Sequence, residues 1–151
     1  MRIWWTIFCL GALALPLGAG CGDTADVMVT FAGSSAMPDV GSGFVASRGT
    51  ATVDATQGTL DLHAENTTAV LDISLDTPTL PGPVMLGERH LQVSYSLGSG
   101  ATSPGWALNG GSVTFQTLDP YKVTFDNLEM VHATPGATGT FTLSGSGIFT
   151  K

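Results

Sequence analysis

Serine, histidine and aspartate all occur in this chain, so hydrolysis by an activated serine is the first chemistry to test. A nucleophile elbow needs G-x-S-x-G at a strand-to-helix turn. No such pentapeptide is present, and Gly145-Ser146-Gly147 lacks the spacing and reads as a bend in the last strand. A Ser–His–Asp site built on loops would have to be recognised by geometry, not by spacing. Gly41-Ser42-Gly43-Phe44-Val45-Ala46 matches a dinucleotide fingerprint by letter. That fingerprint needs a helix after it, with its N-terminus facing the phosphates, and Ser47-Arg48-Gly49-Thr50 reads instead as a loop. The histidines are His63, His90 and His132, none with a second His or Cys at ligand spacing, so no zinc site is expected. His63 and His90 each adjoin an inward-facing Leu and are expected to face solvent. Calcium needs six to eight oxygens. Asp54, Asp61, Asp72 and Asp76 fall on neighbouring strands, and Asp119, Asp126 and Glu129 cluster later, without a D-x-D-x-D-G loop. These acids read as a solvated face that also keeps sheet edges apart. Nothing selects a carboxylate pair for glycoside cleavage. No catalytic residue, metal site or cofactor emerges from the sequence.

Aromatic residues leave a different possibility. Trp106 sits beside Asn109 in Ser103-Pro104-Gly105-Trp106-Ala107-Leu108-Asn109-Gly110-Gly111, a stretch otherwise poor in bulk. An exposed Trp there would stack on a sugar ring or grip a partner. A large aromatic is more often buried, and Trp106 would then plug the open end of the fold. Tyr121, after Leu118-Asp119-Pro120, poses the same choice, with a corner role through its hydroxyl as the structural alternative. Trp106, Asn109 and Tyr121 are therefore the candidate ligand-binding residues.

The chain has 151 residues and a net charge of −7 from 12 acidic and 5 basic side chains. This length suits one domain. Charged residues are 11% and hydrophobic ones 43%, which excludes a disordered acidic tail. Four or five cations cannot neutralise a run of phosphates, so nucleic acid is not an expected partner.

The N-terminus places Arg2 before an apolar stretch over residues 3–15, then Pro16, then the small residues Gly18, Ala19 and Gly20. Positive, apolar, small is the order of a secretory signal. The stretch is short of the roughly 20 residues a spanning helix needs. Cys9 lies within it, so removal of residues 1–20 leaves Cys21 as the one thiol of the exported chain. An unpaired thiol is unusual in an oxidising compartment. Leu17-Gly18-Ala19-Gly20-Cys21 resembles the lipobox of bacterial lipoproteins, although Gly18 stands where that family prefers Leu. The resemblance covers the export segment only. It implies cleavage before Cys21, a diacylglyceryl group on the sulfur and an acylated amine. Two or three acyl chains anchor stably where one is marginal. Gly22 follows, where some bacteria read an Asp as a retention signal, which implies the outer membrane.

Residues 21–42 read as a tether, interrupted by one strand-like run, Val27-Met28-Val29-Thr30-Phe31. Residues 43–151 read as the folded domain. Only 10 of the 131 residues after Gly20 are Lys, Arg, Glu or Gln, against 31 Ser and Thr and 17 Gly. That is the composition of strands and turns. Apolar and polar residues alternate in Leu60–Leu62, Leu71–Ile73–Leu75, Leu91–Val93–Tyr95–Leu97, Val113–Phe115, Val123–Phe125 and Phe141–Leu143. Period two with one apolar face means antiparallel sheet. Pro78, Pro81 and Pro83 mark a long connection, and residues 99–111 a second loop. The expectation is an all-β fold of eight or nine short strands in a two-sheet β-sandwich, or alternatively a small closed β-barrel. The last strands, from Gly111 on, resemble only generically those of small bacterial lipoproteins of uncharacterised function.

The expected role follows from anchoring and missing chemistry: an exported, lipid-anchored protein of the bacterial cell envelope that binds or supports without catalysis. Its partners would be the membrane, through Cys21, and a glycan, a peptide or another envelope protein. A barrel carrying an apolar ligand is the alternative, and an envelope hydrolase without a recognisable motif the third.

Overall fold

A computed structural model describes residues 26–32, 42–98 and 105–151. The signal segment, Cys21 and most of the tether lie outside the described residues. Ten strands form, and no helix among those residues. They are β1 (Val27–Ala32), β2 (Gly43–Ala46), β3 (Gly49–Asp54), β4 (Thr59–Glu65), β5 (Ala69–Asp76), β6 (Gly82–Met85), β7 (Gln92–Leu97), β8 (Gly105–Leu118), β9 (Tyr121–His132) and β10 (Thr140–Phe149). The all-β, antiparallel expectation holds. Of the two closures the strand count allowed, the structure takes the barrel. All ten strands belong to one sheet in the order β2-β1-β10-β9-β8-β7-β5-β4-β3, with β6 also on β8.

The sheet curls until its ends nearly meet. β2 and β3, the two ends, are joined by Ser47-Arg48 alone. At the seam Ala51 N–H donates to the Thr150 carbonyl at 2.8 Å, and Thr150 N–H donates to Gly49 at 3.1 Å. The Asn66 side-chain amide donates to the Val45 carbonyl at 3.0 Å, tying the end of β4 to β2. Closure satisfies backbone groups that an open edge would expose.

Curvature of this kind needs places where the backbone bends. Three lie side by side across the sheet. β9 bulges at Asn127, a non-glycine residue at φ 50°, and its register slips against both neighbours there. On one side is Gly111 at φ +95°, and on the other Gly145 at φ +155°. A Cβ on Gly111 would meet the Asn127 carbonyl oxygen at 2.5 Å, and one on Gly145 the Met28 carbonyl oxygen at 2.3 Å. Only glycine lets the main chains approach this closely. Bulges and glycine kinks aligned across strands are how a sheet turns a barrel corner.

Three local differences from the sequence reading have physical causes. The run from Val27 forms an interior strand between β2 and β10, with Val27 and Val29 buried, so the folded body reaches back at least to Asp26. Residues 105–111, read as loop, begin β8, because ladder bonds to β9 and burial of Trp106 outweigh the low strand propensity of Gly105, Gly110 and Gly111. Gly82–Met85, read as part of a Pro-rich connection, pairs with β8. Pro83 fits because β6 pairs on one side only.

Inward residues fill the barrel. Tyr95, Phe44, Phe115, Phe125, Phe149, Met130 and seven Leu or Ile side chains are at most 2% exposed. Tyr95 packs edge-on to Phe44 and Phe141, with centroids 6.0 and 5.8 Å apart. Small barrels are filled by side chains in this way. The outward positions of β4, β5, β7 and β9 hold Asp61, His63, Asp72, Gln92, Lys122 and Asp126. That polar exterior is the reverse of a lipid-facing strand band.

Candidate functional site

The hairpin from β4 to β5 sets the first part of the site. Asn66 Oδ1 accepts the N–H groups of Thr68 at 2.8 Å and Ala69 at 2.9 Å. This side-chain turn fixes the register, which puts His63 opposite Asp72 on the outer face. His63 Nδ1 lies 2.6 Å from Asp72 Oδ1, and its Nε2 lies 3.8 Å from Glu65 Oε2. Across the next ladder Asp72 faces Ser94, and Ser74 faces Gln92.

β8 then opens the sheet. β7 pairs with it only at residues 105–107, and β6 only at 112–115. Between them residues 108–111 pair on that side with no described strand. Asn109 is the extra residue of a bulge against β9. A half-open groove of about 350 Å³ lies on the outside of the barrel at this gap. Asp72, Ser74, Gln92 and Ser94 form its polar wall. Leu86, Leu91, Val93, Ala107 and Leu108 form the apolar one. Leu86 is 44% exposed, and Ala107 and Leu108 are half-buried, whereas Leu91 and Val93 belong to the buried core, so the first three form the part open to a ligand.

The order of groups decides what this arrangement can do. A hydrolytic triad needs His between the nucleophile and the carboxylate. Here the row runs Ser94, Asp72, His63. Ser94 and His63 are two strand spacings apart, roughly 10 Å, with the carboxylate between them. His63 cannot take a proton from Ser94 directly. The wall instead offers hydrogen-bond acceptors: the Asp72 carboxylate, two hydroxyls and the Gln92 amide oxygen. No group of three or more His, Cys, Asp or Glu side chains is placed to hold a metal ion among the described residues. His90 pairs with Asp76 at 3.0 Å, away from the groove. His132 Nδ1 accepts Thr134 N–H at 3.1 Å, and its ring stands edge-on to Trp106 at 5.3 Å.

The structure does not bring the candidate residues together. Trp106 is 3% exposed and lies on β8 against Tyr95 and Phe141, with centroids 6.1 and 5.9 Å away. Its indole nitrogen is buried with no partner among the described residues. Tyr121 is 4% exposed, edge-on to Phe115 at 6.4 Å, with Lys151 Nζ 5.6 Å from its ring centre. Trp106 faces His132 and Tyr121 faces Leu118, so the two sit at opposite ends of the β8–β9 hairpin. Asn109 is exposed and follows Leu108 of the groove. Cys21 lies outside the described residues. Sequence reasoning did not single out Asp72 with Ser94 and Leu108. Alternation marks Asp72 as outward, but its partners depend on pairing across three strands.

Compared with protein-family models, curated proteins and solved structures, the chain matches none of them.

Proposed function

We propose that the chain is an exported, lipid-anchored protein of the bacterial cell envelope, held at the outer membrane by acyl groups on Cys21, with a non-catalytic binding role. The observation that carries this is the order at the N-terminus: a cation, an apolar stretch, small residues, then the one cysteine outside that stretch. Two features of the fold support a binder over a carrier of an apolar ligand. Large side chains fill the barrel, and the groove is on its outside. The groove suits an extended peptide of another envelope protein. Its acceptors match N–H donors, its leucines match an aliphatic side chain, and unpaired ladder positions on β8 offer main-chain bonding. A sugar is less well suited, because Trp106 is buried and does not offer a stacking face.

The test is the mass of the N-terminal peptide from the membrane fraction, with Cys21→Ser as control. The expected result is a peptide beginning at Cys21 with added acyl mass, absent in the variant. A free amine at another residue, or the signal still attached, would overturn the assignment.

A further inference from the structure

The outward face of β2, β1 and β10 carries exposed apolar side chains, as do β6 and its flanks at Leu80, Met85 and Leu86. On the first of these faces Met28, Val45 and Ile148 are 54%, 51% and 38% exposed. Met28 and Val45 are direct cross-strand partners. Ile148 lies two residues along β10 from Ser146, the other partner of Met28. Four cations occur among the described residues, Arg48, Arg89, Lys122 and Lys151. Two of them border this patch. Lys122 is the partner of Ile148 on β9. Lys151 lies instead over the ring of Tyr121, which is buried and faces the inside of the barrel. Arg48 precedes Gly49, whose missing Cβ would stand 2.4 Å from the Ile148 carbonyl oxygen. Neither Arg48 nor Lys122 forms an ion pair with another described residue. One acid, Asp26, also adjoins the patch, its carbonyl accepting Ile148 N–H at 2.7 Å.

The chain also enters the barrel here. Asp26 is five residues from Cys21, so the anchor sulfur lies within about 18 Å of it even with the chain fully extended. We propose that the β2–β1–β10 side of the barrel rests on the bilayer surface, with Met28, Val45 and Ile148 at headgroup depth and Arg48 and Lys122 against the phosphates of anionic lipid. This rests on the lipid anchor proposed above. The net negative charge of the domain does not oppose it. Charges beyond a Debye length of about 8 Å are screened, so the local cations decide the sign of the contact. From β10 to β7 is three strands in one direction and four in the other. The groove therefore lies on the opposite side and points away from the lipid.

The experiment uses the full acylated protein in vesicles of phosphatidylcholine and phosphatidylglycerol. A fluorophore is placed on a single new thiol, Val45→Cys or Gln92→Cys, and quenched by aqueous iodide. The N-terminal mass is read on the same sample. The expected result is a blue-shifted, protected probe at position 45 and a freely quenched one at 92. Protection at 45 should be lost in the double variant Arg48→Glu, Lys122→Glu, which stays anchored. Equal quenching at 45 and 92 in a sample whose mass shows the acyl groups would overturn the docking but leave the anchor intact. A mass without acyl groups would remove the anchor itself, and the docking with it.

Discussion

Replacing Gly145 by Ala tests whether the aligned kinks close the barrel. A Cβ there would stand 2.3 Å from the Met28 carbonyl oxygen and 2.7 Å from Val29 Cα. Both are main-chain atoms of an interior strand, so no side chain can rotate away. β1 must shift relative to β10, and overpacking of this kind costs about 1–3 kcal/mol. Holding alanine at φ +155° adds about 1–3 kcal/mol of strain. The expected loss is about 2–6 kcal/mol, a large part of the 5–15 kcal/mol typical of a domain. Gly58→Ala is the control. Gly58 also has a positive φ, +69°, but a Cβ there meets nothing within 4 Å, so only about 1 kcal/mol should be lost. Urea denaturation of the domain from residue 22, followed by tryptophan fluorescence, gives both values, since Trp106 is buried beside Tyr95. Equal losses in the two variants would refute the argument that close main-chain approach at Gly145 shapes the closure.

Trp106→Ala should destabilise the domain by about 3–5 kcal/mol, as expected for a large buried aromatic, whereas Asn109→Ala should stay within about 0.5 kcal/mol; thermal melts of the two check this. Burial pushes the Tyr95 phenol up from 10.0 to about 12. The unfolded chain therefore releases this proton first. Stability is full below pH 10 and falls by about 2–3 kcal/mol as pH rises from 10 to 12. Tyr95→Phe should flatten that alkaline decline in urea midpoints measured across the window. Asp72→Asn should leave stability within about 1 kcal/mol, because the His63–Asp72 pair is about half exposed, and a change beyond that would mean the pair is structural.

Alternation by itself determined the all-β class and most of the buried face. Leu60, Leu62, Leu71, Ile73, Leu75, Val93 and Tyr95 lie inside, because period two leaves each strand only one apolar side to bury. The export expectation rests on the N-terminal sequence alone, which lies outside the described residues. What only the tertiary structure decided was everything that depends on which strands meet. The same alternation fits two sheets packed face to face or one sheet curled upon itself. The choice rests on the bends at Gly111, Asn127 and Gly145 and on the seam between Ala51 and Thr150. Trp106 became a core residue because β8 extends back to Gly105 when β9 is beside it, a gain no local propensity contains. The groove exists because β8 outlasts its partner β7 before β6 takes over. Such a gap is set by the relative lengths of strands far apart in the chain, and a linear pattern of apolar and polar residues carries no record of it.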